Sequence, residues 1–395
     1  MDVVSTPTTA AERAAEHAEL LAKVEGIIPV LRDNAARADT DRRLTNESFE
    51  AMADAGVLSL WAPSRFGGIE GDMTLQLEVV TTLARGCSSA SWLAPIFTGS
   101  NFQISRMSDE AQEEVWSDGT NVASCGFLTP GQVARKEPGG WRVSGKWPWA
   151  SGCFHAKWTL LAADLDDGQT PYPSVGFLLV PMSELSIKET WFTLGMRGTG
   201  SNTVFGDDIF VPDHRVVDMM TVQPKLPLHN VPDSVFQSLW FAGTPIGIAQ
   251  AALETALGQM RKRGIQYTNY KKQIICPTTQ LDFADAESKI DIADLLTHKA
   301  AAEADKCIYQ GAEMNGAQRA KAKHDCGVGV ENLRAAMDLI VRQAGASAMA
   351  DFNPLQRLYR DLSTCTLHAL MRPTIAAEVR GRMMLGLAPV NVPFI

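Results

Sequence analysis

Apolar residues recur every three or four positions from residue 9 to about residue 107, which is the period of an amphipathic helix. Across residues 12–38 the apolar positions at this spacing are Leu20, Leu21, Val24, Ile27, Ile28 and Leu31. Pro29 predicts a kink or a division there, because proline lacks an amide hydrogen and clashes with the preceding turn. The cap-forming residues 45–48 predict a short helix ending at Gly56, and residues 75–83 predict a further amphipathic helix.

Near residue 122 the pattern changes to short β-rich runs broken by glycine, proline and aspartate, which is typical of an antiparallel sandwich or barrel. These runs cover residues 141–147, 158–162, 175–180 and 203–205. From about residue 236 the helical period returns, over residues 241–257, 283–305, 324–344 and 354–385. The predicted fold is therefore mainly α with an inserted β-domain. Its parts are an N-terminal α-helical domain (1–121), a middle β-domain (122–230) and a C-terminal helical bundle (231–395).

Composition and charge narrow the possible partners. The formal net charge is −9, which argues against nucleic acid or an anionic membrane as the main partner. The densest basic run, residues 261–263, is long enough only to hold one phosphate. The seven cysteines form no CxxC pair, so reduced and mostly buried thiols are expected. No signal peptide and no membrane-spanning run is seen, and a cytoplasmic location is expected.

The usual catalytic motifs are not found in the sequence. No GxGxxG follows a predicted strand, and neither a Walker loop, a metal-spaced histidine–cysteine cluster nor a GxSxG elbow is seen. We therefore predict no metal site, although a Ser-His-Asp set formed by the fold remains open. The candidates for chemistry are the turns of the middle domain that are rich in glycine, serine and tryptophan.

Three segments stand out, and each also has a plainer interpretation. Residues 146–155 (KWPWASGCFH) combine two indoles, a hydroxyl and a flexible glycine, which suit a planar ring cofactor but also suit sheet packing. Residues 194–202 (LGMRGTGSN) form a glycine-rich turn that another group can approach closely. Residues 356–361 (QRLYRD) are followed by His368, which a continuous helix would place two turns beyond Asp361 on the same face. A histidine on an apolar helix is, however, often a core residue.

Taken in this order, the segments resemble the acyl-CoA dehydrogenase superfamily, and within it the hydroxylase component of the two-component flavin-dependent monooxygenases. The likeness runs from about residue 20 to residue 387. Residues 66–68 look like the glycine pair after the second helix, and residues 147–155 are similar to WxxSSGCxH, with Ala150 where serine is common. Residues 195–212 match GLRGTGSN…DVFVP, and residues 354–361 with His368 match PLQRxxRD…H.

The resemblance also separates an oxygenase from a dehydrogenase. The common acyl-CoA dehydrogenases take the substrate α-proton with a glutamate about eight residues after the Arg-Asp pair. Here that position is Ala369, and no acidic residue occurs between Asp361 and Glu378, so an evident base is missing. An acyl-CoA dehydrogenase-like FAD enzyme acting on a thioester remains an alternative, since some relatives keep the base on another helix. A non-catalytic flavin-binding homologue is a further alternative.

What the resemblance implies is an N-terminal helical domain, a middle β-barrel or sandwich and a C-terminal four-helix bundle, assembled as a homotetramer. Reduced flavin (FADH2 or FMNH2), made by a separate NAD(P)H:flavin reductase, would bind between the β-domain and the bundle. With O2 it would form a C4a-hydroperoxide that hydroxylates an aromatic or heteroaromatic small molecule such as a phenol, an indole or a polycycle. Water must be excluded so that this species does not decay.

The resemblance also assigns roles to particular residues. The catalytic candidates are His368 and Ser124; the cofactor-binding candidates are Ser124, Trp147, Trp149, Ser151 and Arg263; the substrate-binding candidates are Trp92, Ser100, Asn101 and His368. The intrinsic pKa of histidine suits either deprotonating the substrate or stabilising the oxygen species. Phenol hydroxylases of this group usually carry a histidine near Ser100 or Gln103, whereas this chain has none between His17 and His155. That departure weakens the case for a simple phenol and leaves room for an indole or a heteroatom substrate.

Overall fold

The computed structural model describes residues 9–127, 131–170, 173–389 and residue 392. Its N-terminal part consists of α1 (Ala10–Gly26), α2 (Ile28–Asp41), α3 (Asn46–Asp54), α4 (Met73–Ala84), α5 (Ser88–Ile104) and α6 (Asp109–Trp116). The predicted division at Pro29 is confirmed: α2 starts there, where a missing amide hydrogen matters least. The predicted cap is also confirmed, since the Thr45 hydroxyl accepts the Ser48 amide hydrogen at the start of α3.

The middle part is one mixed sheet. Its strands are β1 (Ser124–Phe127), β2 (Val133–Glu137), β3 (Gly140–Ala150), β4 (Trp158–Asp166), β5 (Ser174–Pro181), β6 (Ser186–Lys188), β7 (Asn202–Pro212) and β8 (Val216–Asp218). The order is β6-β7-β3-β2-β4-β5-β8, and β1 pairs with β4. The purely antiparallel prediction is wrong at two pairs. Because β5 occupies one edge of β4, β1 and β2 lie in succession along the other edge, both parallel to β4.

The C-terminal part is again helical. It consists of α7 (Asp233–Trp240), α8 (Gly243–Met260), α9 (Pro277–Gln310), α10 (Gly316–Ala344), α11 (Pro354–Cys365) and α12 (Pro373–Met384). The bundle is formed by α8, α9, α10 and the α11–α12 pair, with α4 of the N-terminal part packed on α8. The predicted mainly α fold with a β-domain between two helical parts is confirmed.

The prediction of one helical pattern over residues 354–385 is wrong. The chain leaves the helix at Thr366, whose carbonyl accepts a hydrogen bond of 2.9 Å from Arg334 on α10. Arg372 is extended (φ −71°, ψ 108°), because the residue before a proline is disfavoured in the helical region. His368 therefore lies in the break between α11 and α12, where it precedes a short 3-10 turn, and not on a helix two turns beyond Asp361.

The expected state of the thiols is confirmed, since all seven cysteines are free and buried. Within residues 9–127, 131–170, 173–389 and 392, no helix is both long enough and apolar enough to cross a membrane. The same residues contain no group of three or more histidine, cysteine, aspartate or glutamate side chains that could hold a metal ion.

Candidate functional site

Helix α5 is the element that connects the candidate residues, and each of its residues is buried. One side of α5 packs on the β-domain: Ser100 contacts Gly126 of β1, and Phe97 contacts Gly152 in the turn after β3. Gly152 has φ +77°, and a Cβ there would lie 2.6 Å from the Phe97 ring, so only glycine fits this approach. Another side of α5 carries Trp92 toward the helical bundle. The helix thus lies between the β-domain turns and the residues after α7 and α11.

The two motifs that the sequence singles out separately are in contact. Gly195 packs against the backbone of α11, where a Cβ would lie 2.1 Å from the Arg360 carbonyl oxygen. The Met196 amide donates a 2.6 Å hydrogen bond to Asp361 Oδ1, and Arg360 Nη2 donates one of 2.9 Å to Asp39 on α2. Burial raises the pKa of the Asp361 carboxyl to about 6. This contact fixes the glycine-rich turn to both helical parts of the chain.

A row of three buried hydroxyls lies between this turn and the turn after β3. Ser151 Oγ is 2.6 Å from Ser201 Oγ, and Ser201 Oγ is 2.7 Å from Thr199 Oγ1. Thr199 Oγ1 donates a 2.8 Å hydrogen bond to the Met196 carbonyl oxygen. The predicted cofactor residue Ser151 is therefore connected to the glycine-rich turn through side chains to which the sequence analysis gave no role.

The two candidate indoles differ in their surroundings. Trp147 is fully buried in the β-domain, and its N–H donates a 3.0 Å hydrogen bond to the Ala162 carbonyl oxygen. Its ring packs within the sheet and its one polar atom is already bonded, so the predicted cofactor contact of Trp147 remains a prediction. Trp149 is 63% exposed and has φ +61°, a left-handed backbone that is uncommon for a bulky residue. Such strain is found at ligand-binding turns, so Trp149 is the better candidate.

His368 and Trp92, predicted together as substrate residues, do lie together. The Trp92 ring stacks on Phe241 at 4.3 Å, and the His368 ring lies 5.3 Å from Trp92 and 5.2 Å from Phe241. Burial lowers the pKa of His368 to about 4, so the ring is neutral near pH 7. Nδ1 accepts a hydrogen bond of 3.4 Å from the Leu370 amide, which leaves the ring proton on Nε2.

Ser100 and Asn101 were predicted to share one pocket, and the structure separates them. Ser100 faces β1, whereas Asn101 Nδ2 donates to the Leu58 carbonyl oxygen at 2.6 Å, inside the N-terminal part. The reason is helix geometry, because neighbouring residues point about 100° apart. The substrate-binding role of Asn101 remains a prediction.

Arg263 holds the end of α10 in place. Its guanidinium donates to the carbonyl oxygens of Gln343 and Ala344, to Gln273 Oε1 and to Ser347 Oγ. Basic groups at a helix C-terminus satisfy its last carbonyls. The predicted contact of Arg263 with a phosphate or a flavin edge remains a prediction, and the structural interpretation accounts for these four bonds.

Besides Asn101 Oδ1 on α5, two other buried polar atoms of this region have no hydrogen-bond partner among the described residues. They are Ser124 Oγ on β1 and Gln103 Oε1 on α5. Buried polar atoms are nearly always paired in native structures, so these two suit a ligand. Ser124 was predicted as a site residue. Gln103 was missed as a candidate, although the sequence analysis noted this position, where phenol hydroxylases have a histidine.

These residues fit a planar ring with polar edges. Trp149 offers an exposed indole, Ser151 a hydroxyl whose proton is used within the hydroxyl row, and Ser124 a hydroxyl without a partner. Together they would hold a flavin ring beside the aromatic cluster of Trp92, Phe241 and His368.

Comparison with known proteins identifies the family of the chain. Residues 15–120 match the model "Acyl-CoA dehydrogenase, N-terminal domain", and residues 239–373 match "Acyl-CoA dehydrogenase, C-terminal domain". The FADH2-dependent resorcinol hydroxylase, oxygenase component, of Rhizobium sp. (strain MTP-10005) is 30% identical over 390 residues, which is 94% of this chain and 95% of that protein.

Two further relatives agree in length and fold. The flavin-dependent monooxygenase oxygenase subunit HsaA of Rhodococcus jostii (strain RHA1) is 29% identical over 92% of this chain and 98% of that protein. The structure of XiaF from Streptomyces sp. in complex with FADH2 and glycerol superposes with a TM-score of 0.88 at 29% identity, covering 98% of this chain and 99% of that one. The chain therefore belongs to the acyl-CoA dehydrogenase superfamily, in its branch of flavin-dependent monooxygenase oxygenase components.

Proposed function

We propose that this chain takes up reduced flavin and uses O2 to hydroxylate an aromatic or heteroaromatic small molecule. The observation that carries the proposal is the neutral His368 held between Trp92 and Phe241, beside a helix that also borders the Ser124 hydroxyl. An aromatic wall with a few polar groups is what a flat organic ligand needs. Position 369, where a dehydrogenase base would lie, is an exposed alanine at the start of a 3-10 turn.

Reduced flavin, when bound, supplies the electrons that activate oxygen. In this proposal Ser124 and Ser151 hold its polar edge, and the Trp149 indole packs on its ring. Trp92 and Phe241 are buried and stacked, so they keep water out of the space next to it.

The structure supports one of the two roles considered for His368. A pKa of about 4 makes the ring a weak base, which disfavours removal of a phenolic proton near pH 7. With the proton on Nε2, the neutral ring can donate a hydrogen bond to an oxygen atom in the pocket. We therefore propose that His368 stabilises the reacting oxygen atom by donating a hydrogen bond to it from Nε2.

Gln103 extends the proposal toward the substrate. Its amide carries both donor and acceptor groups but no charge, and Oε1 is unpaired. It would recognise a neutral polar group better than a phenolate. Because an unpaired acceptor needs a donor, this favours a ring with an N–H, such as an indole, over a phenolate.

The partners follow from the same proposal. The chain would receive its flavin from a separate NAD(P)H:flavin reductase and assemble as a homotetramer. Large apolar side chains exposed on α9 and at the end of α12 support contacts between copies. They are Leu281, Leu295, Met384 and Leu385.

Isotope incorporation during turnover tests the function. The purified protein is mixed anaerobically with photoreduced FAD or FMN and one ring compound from a panel of phenols, indoles and polycycles, and then exposed to ¹⁸O2. We expect one ¹⁸O atom in the ring product and delayed return of oxidised-flavin absorbance. Immediate reoxidation with all oxygen recovered as peroxide for the whole panel would contradict the proposal, as would bleaching of tightly bound FAD by an acyl-CoA thioester.

A further inference from the structure

The hydroxyl row of Ser151, Ser201 and Thr199 has a fixed direction. A hydroxyl has one proton to donate and two lone pairs to accept with. The Met196 carbonyl oxygen can only accept, so Thr199 must donate its proton there, at 2.8 Å. Ser201 can then bond to Thr199 only by donating, at 2.7 Å, and Ser151 can bond to Ser201 only by donating, at 2.6 Å. The row therefore runs from Ser151 to Met196.

The end of this row cannot reverse. The Met196 carbonyl oxygen has no proton to donate, and it is held in place by hydrogen bonds of 2.9 Å from the Trp191 indole and 3.2 Å from the Thr199 amide, while the Met196 amide is held by Asp361 at 2.6 Å. Each of the three hydroxyl residues is at most 5% exposed, so bulk water does not compete for their protons. Consequently Ser151 has only lone pairs left and can accept, but not donate, a further hydrogen bond.

An acceptor without a proton distinguishes the two redox forms of a flavin. Reduced flavin carries a hydrogen on N5, whereas N5 of oxidised flavin has a bare lone pair. A lone pair facing Ser151 Oγ would be repelled, and an N–H would be bound. We propose that Thr199 and Ser201 are positioning residues that make the site select reduced flavin, by holding Ser151 as an acceptor for N5–H. This inference rests on the proposed function, which places Ser151 at the flavin.

Such selection matters for an oxygenase that does not reduce its own flavin. Oxidised flavin released by turnover would otherwise compete for the site. A hydroxyl row that ends at a carbonyl oxygen distinguishes the two redox forms without a charged group. A charged group would have to be buried beside the turn, which costs free energy.

The test compares the dissociation constants of reduced and oxidised flavin, measured by anaerobic titration without substrate. Thr199→Val removes the hydroxyl at nearly constant volume, so Ser201 and then Ser151 become free to turn their protons outward. We expect the affinity ratio of reduced to oxidised flavin to fall by about three- to tenfold, the span of one neutral hydrogen bond. Thr199→Ser keeps the hydroxyl and is the matched control, which should keep the ratio.

Two further variants separate positioning from folding. Ser201→Ala removes only the middle hydroxyl of the row and keeps the glycines of the turn, and we expect the same fall in the ratio. In a Ser151→Ala background Thr199→Val should have no further effect on the ratio, because the acceptor through which it acts is gone. If Thr199 acted only through general stability, Thr199→Val would still change the affinity ratio in the Ser151→Ala background.

The outcomes are distinct. A ratio unchanged in both Thr199→Val and Ser201→Ala overturns the inference, and so does an equal loss in Thr199→Val and Thr199→Ser. Wild-type protein that binds both redox forms equally well also overturns it, while leaving the proposed function in place. Wild-type protein that binds neither form removes the proposed function itself.

Discussion

The contact between Gly195 and α11 is the basis of a stability prediction. Replacing Gly195 by alanine adds a Cβ that would lie 2.1 Å from the Arg360 carbonyl oxygen and 2.7 Å from the Asp361 amide nitrogen. Both are backbone atoms, so no side chain can rotate away to make room. The turn and the helix must separate, and the 2.6 Å hydrogen bond from Met196 to Asp361 lengthens or breaks.

The size of the effect follows from these two changes. Inserting a carbon into a packed contact costs about 1–3 kcal/mol. Losing a buried hydrogen bond to a carboxylate costs about 1.5–3 kcal/mol. Together we expect a loss of about 3–5 kcal/mol in the free energy of unfolding. With an unfolding entropy of about 2.1 cal/mol/K per residue, a chain of 395 residues should then lose about 4–6 °C in Tm.

The assay is thermal unfolding of Gly195→Ala beside wild type, with Gly381→Ala as the control. Gly381 lies within α12, and a Cβ there would meet no atom within 4 Å. The same chemical change should therefore stabilise the protein there, by about 1 kcal/mol from helix propensity. The affinity for reduced flavin should fall in Gly195→Ala and stay unchanged in the control, because the displaced turn carries Thr199 and Ser201. If Gly195→Ala melts within a degree of the control, the close approach of the two motifs is not present in solution.

Three other substitutions test separate parts of the site. Ser124→Ala should leave the free protein as stable or up to about 1 kcal/mol more stable, because its hydroxyl is unpaired, while reduced flavin binds more weakly; unchanged affinity by titration would remove Ser124 from the site. His368→Ala should keep flavin affinity within about twofold yet lower product formation by about a hundredfold, and full activity in a turnover assay would end its role. Burial lowers the pKa of His229 to about 3 from 6.5, so the unfolded chain binds that proton first, and His229 by itself removes about 1.4 kcal/mol of wild-type stability per pH unit as the pH falls below about 6.5. His229→Gln should reduce the loss between about pH 7 and about pH 5 by about 2 kcal/mol in denaturant titrations, and an unreduced loss would show that His229 is not the buried neutral group.

Helices and strands could be predicted where residues within the segment itself set its boundaries. The division at Pro29, the cap at Thr45 and the insertion of β-strands between helical parts each leave a local signature in residue spacing. The helix break before His368 leaves a weaker signature in the sequence, because the break depends on the hydrogen bond from Arg334 of α10 to the carbonyl oxygen of Thr366. An arginine many residues away in sequence does not alter the apolar period of the segment that it interrupts.

The segments that form the candidate site could be predicted from the sequence, but the contacts between these segments could not. The sequence identifies the segments around Gly195 and Asp361 as unusual, and the structure shows that they form a single contact. Arg263 shows the opposite case: a basic residue at a plausible position is engaged by helix carbonyls that no nearby residue predicts. The different surroundings of Ser100 and Asn101 could have been expected from the sequence alone, since neighbouring residues on a helix point about 100° apart.

A buried polar atom without a partner indicates a ligand site only when it lies near the segments that form the candidate site. Asn101 Oδ1 and Trp116 Nε1 are also buried without a partner among the described residues, yet Asn101 points into the N-terminal part. Ser124 Oγ differs because it lies on the β1 strand that packs on α5, the helix that also contacts the turn of Ser151. Ser151 itself is satisfied as a donor and open only as an acceptor. A ligand that supplies an N–H to Ser151 and a polar atom to Ser124 would therefore complete the hydrogen bonding that the fold leaves open.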